Sequence, residues 1–528
     1  MGMAAPAMTT KDSFEYLDSQ VTIPQSLERS NAIQVLSATS ELYPLIKTGG
    51  LADVAGALPL ALKDQGVAVR SLLPGYRKVM AKLQEPRIVK TYQNLFGCKA
   101  ALLGDTVAGH DIYVLDCPEL FDRAGGPYTD ESGKDWDDNW QRFGALSKVA
   151  ADIAIGKVEE WQPQILHAHD WQTALSLAYV RYSKVANLPK IMTIHNLAFQ
   201  GRYDASVFKQ LGLPRNAWAM NGVEYYGGTG YLKAGLSSAD LITTVSPTYS
   251  NEIRRPENGM GLEGLINHRE KDVHGILNGI DDDVWNPPED PFITKQYSSR
   301  NYQMRRQNRF DLETEFGLFH DEDPLFVVCS RMTWQKGVDM LIEILDEIVP
   351  MGAKFAILGQ GDKSIEKGFL AASQRHPGRI GMKVGYEEPI AHRMQAGGDA
   401  ILVPSRFEPC GLTQLYGLKY GCIPVVSRVG GLADTIIDAN EAAVSLGCAT
   451  GVQFYPPDTF HLKQAIVRTM KLYKDKVAWK SMQRAGMKAD FSWGRSAARY
   501  VDLYRQILST YEEKNTIKPL SRSIQAAQ

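Results

Sequence analysis

From residue 32 onward, short apolar runs alternate with longer stretches whose apolar positions recur every three to four residues. AIQVLSAT, AVRSLLPG, HDIYVLDC, PQILHAHDW, KIMTIHN, DLITTVS and HGILNG are the strand candidates before residue 281. Runs this apolar suit strands covered on both faces. Their alternation with helical patterns predicts right-handed βαβ units and a parallel sheet. The segment 281–291, DDDVWNPPEDP, breaks the pattern with clustered acids and three prolines, and reads as a linker. The alternation then restarts with PLFVVCSR, KFAILGQG, RIGMKVGY, AILVPS and IPVVSRVGG, while GVDMLIEILDEIV and GLTQLYGLKYG carry helical spacing. The chain therefore predicts an α/β protein of two doubly wound, Rossmann-like domains facing a cleft, at 32–280 and 281–491. A helix over 492–514, apolar at Ala497, Tyr500, Val501, Tyr504, Ile507 and Leu508, is expected to cross back to the first domain. Flexible tails are expected at 1–31 and 515–528.

Length agrees, since 528 residues exceed one ordinary core and suggest two domains of about 200 to 250 residues each. Charge is nearly balanced, 58 Lys and Arg against 60 Asp and Glu, so no global field recruits nucleic acid or an anionic membrane. No apolar run approaches the roughly 20 residues of a membrane span. The first 31 residues carry Asp12, Glu15, Asp18 and Glu28, which suits neither a secretory nor a transit peptide. The six cysteines, Cys98, Cys117, Cys329, Cys410, Cys422 and Cys448, have no C-x-x-C spacing. That argues against a zinc site or a disulfide framework and fits a reducing cytoplasm.

Candidate chemistry gathers where strands end. Lys47-Thr48-Gly49-Gly50-Leu51 and Val429-Gly430-Gly431-Leu432 each place two glycines between a strand-like run and a helical pattern. Glycine lets backbone approach a phosphate, and a helix start offers free N–H groups and a positive dipole end. Neither turn is a Walker loop or a G-x-G-x-x-G fingerprint, which weakens ATPase and NAD assignments. Arg331 and Lys336 follow the PLFVVCS run at a helix start, where cations oppose the dipole; a bound diphosphate would explain them, and solvated surface cations are the competing account. Glu408 sits at the Glu-Pro-Cys-Gly turn after AILVPS, suited to sugar hydroxyls or to simple dipole compensation, and Cys410 suits a tight turn better than a reactive thiol. His167, His169 and Asp170 end one strand, and His195 and Asn196 another. H-x-H makes a metal conceivable, but no third ligand stands at fixed spacing; sugar hydrogen bonding by Asp170, His195 and Asn196 needs fewer assumptions, and His167 is expected in the core. Tyr386 suits stacking on a flat base or core packing equally, and Tyr76, Tyr128, Trp140 and Tyr231 suit stacking on sugar rings or mere packing.

With these runs quoted, the chain resembles the bacterial glycogen synthases and the plant starch synthases, retaining glucosyltransferases of GT-B architecture. ELYPLIKTGGLADVAGALP, HAHDW, TIHNLAFQG, YLKAGL, TTVSPTYSNEI, GILNGID, SRMTWQKG, VGYEEP, PSRFEPCGLTQLYGLKYG and RVGGLADTI carry the likeness from about Gln34 to Leu508. KTGGLADV is closer to the bacterial enzymes than to granule-bound starch synthases. The resemblance implies transfer of glucose from ADP-glucose to the non-reducing end of an α-1,4-glucan, with no metal or other cofactor. It implies catalytic roles for Lys47, His195, Arg331, Lys336 and Glu408. Gly49, Gly50, Asn278, Tyr386, Cys410, Gly411, Leu412, Thr413, Gly430, Gly431 and Leu432 would hold the donor, and Asp53, Tyr128, Asp170 and Asn196 the acceptor side. Neither nucleic acid nor membrane is an implied partner, and a homo-oligomer stays open. Other outcomes are a starch-like product, a silent glucan-binding protein, against which intact Lys47, Arg331, Lys336 and Glu408 count, and a phosphorylase using a pyridoxal phosphate lysine.

Overall fold

The larger of two main sheets runs, from one edge, through Val273–Gly275, Leu241–Thr244, Lys190–Ile194, Ile165–His169, Ile33–Ala38, Val67–Pro74, His110–Asp116, Cys98–Val107 and Arg87–Leu95. The first seven are mutually parallel, and Cys98–Val107 runs antiparallel to both of its neighbours, His110–Asp116 and Arg87–Leu95. This computed structural model describes residues 32–183 and 188–525. The expected tail at 1–31 lies outside the described residues. Central strands such as Ile165–His169 are buried at every position, as their unbroken apolar text requires of strands covered on both faces. The antiparallel hairpin was not among the predicted strands, because Arg87–Leu95 is largely exposed and polar at the sheet edge. Its signal is the Phe96-Gly97 turn, both residues at positive φ, which matches the twist of a two-residue hairpin.

The second sheet has six parallel strands in the order Ile380–Val384, Lys354–Gly359, Leu325–Cys329, Ala400–Val403, Ile423–Ser427 and Val452–Phe454. Five of them are the predicted runs; the three-residue Val452–Phe454 is too short for periodicity to reveal. Both sheets wind outward from one strand and return to its other side. Strand order therefore reverses between Ile33–Ala38 and Ile165–His169, and again between Leu325–Cys329 and Ala400–Val403. Loops leaving the carboxyl ends diverge at such points and open a crevice.

The chain crosses between the sheets twice, side by side. Ile280 bridges Ser492 in parallel, and its N–H donates to the Phe491 carbonyl at 2.9 Å. Gly279 permits this approach, since a Cβ there would lie 2.6 Å from the Trp493 nitrogen. The segment 281–291 is not the free linker its prolines suggest. Trp285 is stacked between His392, with centroids 3.9 Å apart, and Tyr416, at 3.7 Å, while buried Asp290 accepts from Tyr420 Oη at 2.6 Å and lies 2.8 Å from His392 Nδ1. The acids and prolines shape a loop that aromatic packing fixes to the second sheet's helices.

The terminal helix starts at Trp493 and lies against the first sheet, where Trp493, Ala497, Tyr500, Val501 and Tyr504 share an apolar cluster with Val35, Val54, Leu58 and Ile191. It runs to Gln525 rather than ending near 514 as the polar text after Asn515 suggested. Extending an anchored helix adds one hydrogen bond per residue fixed, and nucleation is the costly step. Residues 526–528 lie outside the described residues. None of the described helices is long and apolar enough to cross a membrane.

Candidate active site

The loop leaving Ile33–Ala38 is built around Glu41, a buried carboxylate that the sequence did not single out. Its oxygens accept from the Thr48 N–H, from Thr48 Oγ1 at 2.6 Å, and from the Tyr128 hydroxyl, which also contacts Ser40 Oγ at 2.8 Å. Tyr128 is thus tied to the loop that carries Lys47, Gly49 and Gly50. Helix Gly50–Lys63 follows with no side-chain cap on its first N–H groups. Lys47 pairs with Asp53 one turn into that helix, Nζ to Oδ1 2.7 Å, while burial raises the Asp53 pKa against the lysine's pull. A Cβ added at Gly49 or Gly50 would meet nothing within 4 Å. Folding does not require these glycines, whereas a ligand lying on the backbone would.

At the neighbouring strand end, His167 is a core histidine as expected: Nδ1 is 2.9 Å from Tyr504 Oη and Nε2 is 2.6 Å from Thr193 Oγ1. Its ring stacks on His169, whose Nδ1 lies 3.0 Å from His195 Nε2. Burial lowers all three pKa values, to about 3 for His169, so the rings are neutral near pH 7. Asp170 begins helix Asp170–Arg181 in a left-handed conformation, φ 55°. Its Oδ1 accepts the His195 N–H at 2.7 Å and the Asn196 N–H at 3.4 Å, tying the two strand ends together. Burial pushes the carboxyl up to about 7, although those N–H groups pull it down. A strained, buried acid whose ionisation falls near neutrality is a mark of a functional site.

In the second sheet the two strands flanking the reversal supply the facing group. Lys336 Nζ lies 2.5 Å from Glu408 Oε2, which also accepts from Ser405 Oγ at 2.8 Å. Lys336 is therefore no free surface cation. Arg331 is exposed and has no carboxylate partner among the described residues. Gly411, at φ 73°, leads through Leu412 into helix Thr413–Tyr420, whose first N–H groups have no side-chain cap. Free N–H groups at a helix start suit an anion.

The second Gly-Gly turn departs from its expected role. Gly430 N–H donates to Glu252 Oε1 at 2.9 Å, Gly431 N–H to the Glu408 carbonyl at 3.1 Å, and Leu432 N–H to the Val429 carbonyl at 3.1 Å. The N–H groups expected to face phosphate are taken. A Cβ at Gly430 would fall 1.9 Å from the Glu408 carbonyl oxygen and one at Gly431 2.2 Å from that of Cys410. These glycines let the backbone press against the 408–410 turn and hold Glu408 in place.

The halves meet through that turn. Ser246 Oγ donates to the Pro409 carbonyl at 2.7 Å, and Thr248 donates to Asp434 from N at 2.8 Å and from Oγ1 at 2.6 Å. Cys410 is buried in the first sheet's apolar cluster, its thiol pushed up to about 12, which makes it inert as a nucleophile. The buried Asn278 Oδ1 has no hydrogen-bond partner among the described residues, an unusual state for a buried amide. Tyr249 accepts the Leu197 N–H at 3.0 Å, and its pKa, raised chiefly by burial, also feels both Asp170 and Glu408. Half-exposed Tyr386 is within electrostatic reach of Asp53 and Tyr43 across the cleft. The structure so brings the strand-end residues of both sheets to one crevice. Glu41, Tyr249 and Glu252, which brace it, carry no turn or charge pattern that would mark them in sequence.

Residues 34–268 match the family model for the starch synthase catalytic domain, and residues 310–485 that for glycosyl transferases group 1. Curated glycogen synthases from Mesorhizobium japonicum and Novosphingobium aromaticivorans are 56% and 55% identical, each covering 90% of this chain and 99% of its own length. The chain belongs to the glycogen and starch synthase family. Among solved structures, the catalytic domain of Arabidopsis thaliana starch synthase IV, bound to ADP and acarbose, superposes with a TM-score of 0.82 at 30% identity, covering 91% of this chain and all of that one. A sucrose-phosphate synthase, at TM-score 0.56 and 16% identity, shares the fold alone. This glycogen and starch synthase family member is thus a glycosyltransferase of GT-B architecture, and the crevice between its sheets is the cleft of that architecture.

Proposed function

We propose that the protein is a cytoplasmic glycogen synthase that moves glucose from ADP-glucose to the non-reducing end of an α-1,4-glucan with retention of configuration. The observation that carries this is the Lys336–Glu408 pair at the second sheet's reversal, on the same strand-end loops as Arg331 and the turn that leads to the uncapped helix start at Thr413. The assignment of donor and product rests on the relatives named glycogen synthase and on the starch synthase bound to ADP and acarbose.

In this mechanism the diphosphate lies against Arg331, Lys336 and the N–H groups of Leu412 and Thr413, which stabilise the charge developing on departing ADP. Glu408, released from full engagement with Lys336 as phosphate takes up the lysine's charge, accepts hydroxyls of the glucosyl unit. Asn278 Oδ1 offers a further acceptor. Tyr386 stacks on the adenine. Lys47 and the open backbone at Gly49 and Gly50 approach the same diphosphate from the first sheet. His195, Asn196 and Asp170 hold the sugar on the acceptor side, with Tyr128 beside them. The two-carboxylate spacing rule of glycosidases does not extend to this site, where Glu408 is engaged by a lysine and a serine.

The test is incorporation of label from ADP-glucose and, separately, UDP-glucose into glycogen, with the anomeric linkage of the product read by NMR. Rapid α-linked incorporation from ADP-glucose is expected. No incorporation from either donor under metal-free conditions would overturn the proposal.

A further inference from the structure

Far apart in sequence and without metal-ligand spacing, Cys98 and Cys117 nevertheless come together. The antiparallel ladder pairs Ala101 with Asp116, so Cys98, at the start of Cys98–Val107, and Cys117, just past the end of His110–Asp116, fall at the same end of neighbouring strands. Glu119 follows in the first turn of the short helix Pro118–Phe121. The two thiol sulfurs and a Glu119 carboxylate oxygen all lie within 4.8 Å of one another. Among the described residues this is the one group of three such side chains whose ligand atoms converge. None of the three takes part in the cleft chemistry.

We propose that Cys98, Cys117 and Glu119 form a binding site for a thiophilic divalent cation of the zinc class. Two thiolates and a carboxylate are a donor set for a borderline-soft ion, and three protein ligands leave a fourth position to water. Tetrahedral zinc with bonds of about 2.3 Å to sulfur needs the two sulfurs about 3.8 Å apart, within the 4.8 Å that already encloses these ligand atoms. A disulfide would have to draw the sulfurs to about 2.05 Å, a larger movement. Cys117 is buried and Glu119 exposed, so the site has an apolar floor and an open mouth for entry. Binding replaces the two thiol protons, one from each cysteine, by the cation and releases both to solvent. The ion would clamp the start of the segment that runs to Tyr128, which buried Arg142 already grips through the Leu120 carbonyl at 2.8 Å and the Pro127 carbonyl at 2.9 Å.

The test uses the full chain, reduced and stripped with chelator, in a Cys448→Ser background that removes the exposed thiol. Titration with Co²⁺ should give thiolate-to-cobalt charge-transfer absorption saturating at about one ion per chain, displaced by Zn²⁺. Zn²⁺ should also raise the melting temperature, as any ligand of the native state does. Cys98→Ser with Cys117→Ser should abolish both signals while glucosyl transfer and far-UV circular dichroism stay as in the background chain. Glu119→Gln should weaken binding about tenfold or more, about 1.4 kcal/mol per tenfold. Absence of charge-transfer absorption, or an unchanged titration in the double variant, overturns the proposal. So does conversion of the pair to a disulfide that oxidised glutathione forms readily and that Zn²⁺ does not hinder.

Discussion

At the scale of single residues, the site is a set of partly satisfied groups. Lys336 and Glu408 pair with each other, and in the proposed mechanism a phosphate competes for the lysine. Lys336→Ala should cut kcat by orders of magnitude, about 3 to 4 kcal/mol of transition-state stabilisation, with a smaller change in donor KM. Because the substitution also leaves Glu408 buried without its cation, the melting temperature should be followed alongside; near-normal kcat would remove Lys336 from the chemistry. Glu408→Gln keeps an oxygen for Ser405 and for sugar hydroxyls and should retain more activity than Glu408→Ala, whereas a glucosyl adduct trapped on Glu408 would make it a nucleophile. Asp170 provides a separate handle. Burial raises its pKa to about 7, so the fold favours the protonated acid. Its contribution to stability is present below the unfolded value near 4 and is lost as pH rises through about 7. If the carboxylate form organises the His195 strand end, kcat/KM should rise through an apparent pKa near 7, and Asp170→Asn should flatten that limb. A limb unchanged in Asp170→Asn would assign the titration elsewhere.

At the scale of elements, the two Gly-Gly turns look alike in sequence and differ in the fold. Both follow a strand and open a helix, so the text suggested a phosphate for either. What the text could not show is what surrounds each backbone. Gly49 faces open space, while Gly430 faces the Glu408 carbonyl. Gly49→Ala should therefore leave the melting temperature within about 1 °C, by the small effect of changes that create no clash, and lower kcat/KM sharply. Gly430→Ala, at φ 44° and in collision, should lower stability and activity together. The opposite pattern would exchange their roles. The same distinction explains the rest of the comparison. Buried parallel strands were legible because their apolar runs are dictated by covered faces, and the residues just after them, from Asp170 to Glu408, were legible as a site for the same reason. The exposed hairpin, the packed 281–291 segment, and Glu41, whose partners stand 7 and 87 positions away, depend on contacts that no local pattern encodes.

At the scale of the molecule, the proposed reaction draws on Lys47 from the first sheet and on Arg331, Lys336 and Glu408 from the second. Where the halves can pivot follows from what joins them. The segment 281–291, which its prolines mark as a linker, is fixed by the Trp285 stack and is no free joint. A pivot is expected at the paired crossings, Gly279–Ile280 beside Phe491–Ser492, where two single strands of chain are the covalent links between the sheets. Contacts of Thr248 with Asp434, Glu252 with Gly430 and Ser246 with Pro409 brace the turn next to Glu408, whereas Gly49 and Gly50 stand free. Closure should thus swing the Lys47 loop toward the donor about the braced side, excluding water that would hydrolyse ADP-glucose. Small-angle scattering of the protein with ADP and a short maltooligosaccharide should give a smaller radius of gyration than the free protein. Proline at Ile280, which stiffens the backbone and removes the N–H that meets Phe491, should blunt that difference and lower kcat while leaving equilibrium ADP binding less affected. An unchanged radius, together with crystals showing one inter-sheet angle in both states, would mean that the cleft is preformed and that the crossings do not move.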